Sequence, residues 1–396
     1  MNVNEMMYGL GSKRSAIREL FEYGKLRAAE VGPENVYDFS LGNPTVPAPA
    51  CVNDTIRELT NTMESMPLHG YTSAQGDVET REAIANYLNK TYDTCFHADN
   101  FYMTCGAAAS LTITFHAIIA DAKEEVIAVA PFFPEYRVFL AGTGAKLVVV
   151  PADTQNFQIN FEALEKAINA NTKAVIINTP NNPSGTVYSE ETIKKLAMLL
   201  EEKEKQFGKT IYLITDEPYR EIVYDGIQVP YVTKYYADTI VCYSYSKSLS
   251  LPGERIGWIL VPDEAADSKE LYAAVCGAGR VLGYVCAPSL FQKVIARCIG
   301  QTGDVNLYKK NRDLLYEGLT KIGYHCFKPD GAFYMFVQAL EPDADAFCEK
   351  AKEEDLLLVS ATGFECPGYV RISYCVDEEM IKRSFGAFER LYNRYQ

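Results

Sequence analysis

Histidine is scarce in this sequence. Only His69, His97, His116 and His325 occur in 396 residues, and none has a second ligand at metal-site spacing. A resident metal is therefore not expected. Eleven cysteines are scattered from Cys51 to Cys375 without any Cys-x-x-Cys pair. An odd, unpatterned set in a long chain reads as the reduced thiols of a cytoplasmic protein, not as a disulfide framework or zinc site. Basic residues are outnumbered, 38 Lys and Arg against 52 Asp and Glu, for a net charge of −14. Binding a nucleic-acid backbone needs clustered cations, so no nucleic-acid partner is expected. Short basic spots around a bound phosphate group remain compatible with that balance. No stretch approaches the roughly 20 apolar residues that cross a bilayer, and the start, MNVNEMMYGLGSKRSAIREL, lacks the apolar run of a signal peptide. The expectation is a soluble protein with no membrane partner. Internal repeats, low-complexity tracts and long linkers are missing too.

What is present is enough apolar material, 48 % of the chain, for more than one core. A chain of this length exceeds the size at which a single core stops growing, which predicts two domains. Short β-rich runs recur at Glu125–Ala130, Ala145–Val150, Lys173–Asn178, Ile211–Thr215, Thr239–Tyr243 and Trp258–Val261. Helical patterns fall between several of them, among them Glu190–Phe207 with its Glu/Lys-rich face. Buried strands alternating with helices predict an α/β core around a mostly parallel sheet. From about Val285 the texture changes to a helix at Asn306–Ile322, short strands near Ala332–Val337, Leu356–Val359 and Tyr369–Tyr374, and a terminal helix from Asp377. This predicts a large domain over residues 44–284 and a smaller α+β domain made of residues 1–43 with 285–396.

In such sheets ligands sit beyond the carboxyl ends of the strands. Three strand ends carry unusual chemistry. One leads into Thr179-Pro-Asn-Asn-Pro-Ser-Gly185, the next into Asp216-Glu-Pro-Tyr219, and the third into Ser244-Tyr-Ser-Lys247-Ser, with Arg255 following. Taken singly these are ordinary: Asn-Pro-x-Gly is usually a turn, Ser-x-Ser-Lys a solvated loop, and a strand-end Asp a helix cap. Their joint occurrence, in this order and at these separations, carries the inference.

The constellation resembles the class I/II aminotransferases of fold type I, over nearly the whole chain from Gly42 to Arg371. The resemblance implies pyridoxal phosphate as cofactor, with Lys247 joined to its aldehyde as a Schiff base; only a primary amine can be displaced by a substrate amine in this way. Asp216 matches the carboxylate that pairs with the pyridine nitrogen and keeps it charged. Asn182 and Tyr219 match the pair that hydrogen-bonds the ring hydroxylate, with Asn182 also near the substrate. The segment Thr104-Cys-Gly-Ala-Ala-Ala-Ser-Leu111 reads as a glycine turn opening a helix, whose free N–H groups suit an anion. It matches the phosphate segment, with Gly106, Ala107 and Ala108 in place. Relatives often carry Ser, Thr or Gln where Ala108 stands, so Ser244, Ser246 and Arg255 supply the remaining donors. In Pro131-Phe-Phe-Pro-Glu-Tyr136, Phe133 is taken to stack on the ring, with Phe132 as the alternative.

Further positions also follow from the resemblance. Tyr71 matches a tyrosine that reaches the phosphate of the neighbouring subunit, which implies a homodimer with shared sites. Arg371, in Tyr369-Val-Arg-Ile-Ser373, matches the arginine that forks onto the substrate α-carboxylate, and Gly42 lies against the same group. Arg280 stands where aspartate-type members place a second arginine for a distal carboxylate; an interface arginine is the other reading. The implied reaction moves an amino group from an L-amino acid, with aspartate or glutamate as candidates, to a 2-oxo acid through pyridoxamine phosphate. Lyases, decarboxylases and cyclopropane-forming synthases of the same fold share these motifs. A pyridoxal-phosphate-binding regulator would need a DNA-binding module, for which no helix-turn-helix precedes Gly42.

Overall fold

A computed structural model describes residues 2–12 and 16–396; Met1 and residues 13–15, part of the stretch read against a signal peptide, lie outside the described residues. The main sheet has seven strands: β1 (Phe101–Thr104), β2 (Glu125–Val129), β3 (Lys146–Val150), β4 (Thr172–Asn178), β5 (Tyr212–Asp216), β6 (Thr239–Ser244) and β7 (Gly257–Leu260). Their spatial order is β1-β7-β6-β5-β4-β2-β3. Pairings among β3, β2, β4, β5 and β6 are parallel, whereas β7 runs antiparallel to both of its neighbours. The mostly parallel sheet expected from the apolar runs is therefore present.

The strands are apolar on both sides because both faces are covered. One face packs its Val126, Ala128, Ile176, Ile214 and Ile259 against α2 (Ala107–Ile118) and a later helix, Ser268–Val281. The other buries Ile127, Val175, Ile177 and Leu213 under α3 (Glu190–Phe207). α3 begins where Ser189 Oγ accepts from the Thr192 N–H at 3.1 Å and ends at Gly208, whose φ of +65° suits a residue without a Cβ. β1 was not anticipated. Four fully buried residues, FYMT, offer neither alternation nor length.

A second, antiparallel sheet comprises β8 (Cys326–Phe327), β9 (Tyr334–Gln338), β10 (Val359–Ser360) and β11 (Tyr369–Ser373), in the order β10-β11-β9-β8. Helices Val305–Ile322 and Glu378–Asn393 bury its core residues, such as Leu315, Met335, Ile372 and Phe388. The N-terminal segment joins this part through a two-residue parallel ladder, Tyr37–Asp38 with Leu356–Leu357. The helix Ser289–Cys298, by contrast, packs Val294 and Ile295 into one cluster with Val52, Leu59 and Trp258, on the main-sheet side.

Candidate active site

At the carboxyl ends of β4, β5 and β6, where the sheet meets the smaller one, lies a cleft of about 310 Å³. Its wall includes Gly42, Ala107, Ala108, Phe133, Asn182, Asp216, Tyr219, Ser244, Ser246, Lys247, Arg255 and Arg371. Eight stretches of chain supply those residues, and all of them were singled out from the sequence.

Lys247 stands on a single helical turn, α4 (Tyr245–Ser248), directly after β6. Its Nζ donates to the Gly42 carbonyl at 2.7 Å and lies 5.4 Å from the Phe333 ring. Burial, aided by the positive charges of Arg371 and Arg255, pushes its pKa down from 10.5 to about 8. Asp216 closes β5. Tyr136 Oη donates to its Oδ2 at 2.7 Å, while Oδ1 is buried without any hydrogen-bond partner. Burial raises this carboxyl to about 7, against the lowering effect of the Tyr136 hydrogen bond. A lone buried carboxylate oxygen facing the cleft is a site for a cationic N–H.

Arg371 shows the opposite need. It is 2 % exposed, and among the described residues it forms no ion pair with a carboxylate. Its Nη1 donates to Asn182 Oδ1 at 3.1 Å and its Nη2 to the Ser40 carbonyl at 2.6 Å, and Nε has no partner. Tyr334 and Phe364 rings flank the guanidinium at 4.5 and 5.1 Å. Burial lowers its pKa from the usual arginine value. A buried cation left in this state calls for an anion from outside the chain.

Anion donors also gather at the start of α2. Gly106 precedes the helix with φ +88°, and a Cβ built on it would lie 2.9 Å from Arg255 Nη2. Only glycine gives both the conformation and the close approach of the guanidinium. Ser244 and Ser246 pair their hydroxyls at 2.7 Å beside this turn, in the same cleft wall. Phe133 faces the cleft, whereas Phe132 is buried and stacked on Tyr136 with centroids 6.0 Å apart. Two expected residues stand apart. Tyr71 is 98 % exposed, and Arg280 is exposed in the last turn of helix Ser268–Val281; neither lines the chain's own cleft.

Several participants escaped sequence reasoning. Tyr136 fixes Asp216, although it lies in the loop already examined for its stacking aromatic. Asn178 donates from Nδ2 to the Asp216 carbonyl and accepts from the Asn182 N–H, both at 2.7 Å, so it ties two strand ends together. Tyr334 shares a hydrogen bond with Tyr219 at 3.1 Å, and a Cβ on Gly42 would fall 1.7 Å from its Oη. Its signal was only a tyrosine in a buried strand.

A primary amine held close to neutrality, a carboxylate oxygen awaiting a cation and a guanidinium awaiting an anion are the fittings that pyridoxal phosphate and an amino-acid substrate require. The chain matches the family described as aminotransferase class I and II over residues 34–388, and it belongs to that family of pyridoxal-phosphate-dependent transaminases. Among solved structures, an aminotransferase from Eubacterium rectale is 72 % identical, covers 100 % of both chains and superposes with a TM-score of 0.99. A probable aspartate aminotransferase of Methanocaldococcus jannaschii is 29 % identical over 391 residues, covering 96 % of this chain and 97 % of its own. An aromatic-amino-acid aminotransferase of Thermococcus litoralis is 27 % identical over 392 residues, covering 95 % of each.

Proposed function

We infer that Lys247 both holds the cofactor and moves the substrate proton, with the other cleft residues in the roles their chemistry suits. The observation that carries this reading is one cleft containing the Lys247 amine, the partnerless Asp216 Oδ1 and the partnerless Arg371 Nε. Pyridoxal phosphate, when bound, supplies an aldehyde for the amino group and a pyridinium that accepts the electrons left when Cα loses its proton.

The chain's own groups do the rest. Arg371, steadied by Asn182 and Ser40, grips the substrate α-carboxylate and so fixes which bond at Cα points toward Lys247. With a pKa near 8, Lys247 Nζ offers a lone pair at neutral pH and can return the proton, acting as base and then acid. Asp216 keeps the ring nitrogen protonated, and Tyr136 keeps Asp216 oriented. Asn182 and Tyr219 hold the ring hydroxylate. Gly106, Ala107 and Ala108 offer backbone N–H groups to the phosphate, joined by Ser244, Ser246 and Arg255. Phe133 covers the ring face.

The working unit is read as a cytoplasmic homodimer. Tyr71, Met66 and Val281 are 98, 79 and 84 % exposed, an unusual grouping of large apolar side chains. The Cys286 thiol donates to the Thr72 carbonyl at 3.6 Å, so these two stretches are neighbours, and Arg280 stands beside them. Such a surface suits a second copy of the chain, to whose cleft Tyr71 and Arg280 would be delivered. Arg280 would there read a distal carboxylate, as in aspartate-type relatives. The unpatterned thiols favour the cytoplasm. For the two domains we keep residues 44–284 as the cofactor-binding part and 1–43 with the C-terminal part as the smaller one. The packing of Ser289–Cys298 favours placing the crossover between Cys298 and Val305 rather than at residue 285.

Borohydride reduction of the loaded enzyme followed by peptide mapping tests the central assignment. The label is expected on Lys247, and Lys247→Ala should bind the cofactor without covalent attachment while losing transamination. A label on any other lysine refutes the reading.

A further inference from the structure

A second hollow, of about 790 Å³, opens beside the cleft between the N-terminal helix Ala16–Val31, the Phe133–Pro134 turn and the small sheet. Ile17 and Phe133 line both spaces, so the two are continuous, with these side chains at the neck. Phe364, which lies against the Arg371 guanidinium at 5.1 Å, also forms part of the hollow's wall. The hollow thus begins beside the group proposed to fix the substrate carboxylate. Its floor is apolar, with Leu20, Tyr23, Leu358 and Val359. Its rim is acidic: Glu19, Glu135, Asp345 and Glu349 stand against one cation, Lys352, which is already paired with Glu349.

We propose that this hollow receives the substrate side chain and selects long, uncharged ones, aromatic or aliphatic, over side chains ending in a carboxylate. The inference rests on the aminotransferase reading of the cleft and names the substrate class for it. Apolar burial favours each added methylene by about 0.8 kcal/mol. A terminal carboxylate would lose water on the apolar floor and meet four carboxylates at the rim, so it is disfavoured twice over. A transaminase must accept two different amino acids at one site. The hollow serves the apolar one, and any dicarboxylate must be recognised elsewhere.

Half-reaction kinetics on the holoenzyme test this with L-alanine, L-norleucine, L-lysine and L-2-aminoadipate, the last matching norleucine with a carboxylate in place of the terminal methyl. Norleucine should exceed alanine in kcat/KM by tenfold or more, and should exceed aminoadipate and lysine. Gly363 lines the hollow, and a Cβ on it would meet no atom within 4 Å, so Gly363→Leu fills the space without strain. That variant should lose tenfold or more on norleucine and stay within twofold on alanine. Binding of 3-phenylpropanoate, a dead-end carboxylate, should weaken in parallel. A norleucine rate no better than alanine's, a preference for lysine or aminoadipate, or equal loss on both substrates in Gly363→Leu overturns the pocket and leaves the aminotransferase reading standing. Failure of every amino acid to convert the cofactor overturns both.

Discussion

Replacing Asp216 with asparagine should change the pH dependence of stability in a way that separates its electrostatic role from its shape. The carboxyl is buried, and its pKa is lifted from 3.8 to about 7 in the fold. A folded pKa above the unfolded one means that the folded state holds the proton more tightly. The burial is therefore harmless at low pH and becomes steadily costlier as pH rises from about 4 to about 7, after which the cost is constant. Between pH 5 and pH 8 the cofactor-free wild type should lose about 2–3 kcal/mol relative to Asp216→Asn, at about 1.4 kcal/mol per pKa unit. With about 2.1 cal/mol/K of unfolding entropy per residue, this corresponds to roughly 3 °C of Tm. Melts of both proteins, stripped of cofactor, at pH 5, 6, 7 and 8 measure the change in the gap. Adding pyridoxal phosphate should then raise Tm more in wild type than in the variant at pH 8, because only wild type gains a charge pair. A gap that stays constant from pH 5 to pH 8 would refute the burial argument. Equal gains from the cofactor would remove Asp216 as the partner of the ring nitrogen.

Three other expectations can be checked together. Arg371→Lys keeps the charge but loses the fork, so one charge-assisted hydrogen bond worth about 1.5–3 kcal/mol disappears; kcat/KM should fall roughly 10- to 100-fold with cofactor content unchanged, and an unaltered KM would count against carboxylate binding. Gly42→Ala drives a methyl into Tyr334 Oη and should cost about 1–3 kcal/mol in urea unfolding, whereas wild-type stability would show that the loop yields freely. Mixing Lys247→Ala subunits with Tyr71→Ala subunits should regenerate one good site per hybrid dimer. If activity never exceeds the sum of the parents, Tyr71 does not act across subunits.

Much of the cleft was legible because its residues follow buried strands. Val, Ile and Leu runs mark where each strand stops, and Asp216, Ser244 and the Asn-Pro turn come directly after. Residues that act through another residue were not legible. Tyr136 matters because its hydroxyl reaches an aspartate 80 positions away, a pairing set by how the β5 end meets the Pro131–Tyr136 loop and by nothing local. Tyr334 likewise belongs to the other sheet and meets Tyr219 only after the two sheets pack. The helix Ser289–Cys298 follows the change in texture yet packs backwards, because its apolar face fits Val52 and Leu59. The hollow behind Phe133 exists only between elements, so no single stretch announces it.

The reversed strand β7 bears on where this chain can tolerate insertions. Because it runs against its neighbours, the chain leaves the sheet at Ser244, turns through Lys247 and comes back at Gly257 on the same edge, with Arg255 at the point of return. A Cβ on Gly257 would lie 2.2 Å from the Tyr243 carbonyl and 3.1 Å from Gly106 Cα, so the returning backbone is wedged between the two anion-binding turns. Amine and guanidinium are thus held at a spacing fixed by one short loop, and an insertion between them would pull Arg255 off Gly106. Changes in length belong on the opposite edge, as at Gly208, where α3 ends with open space around it.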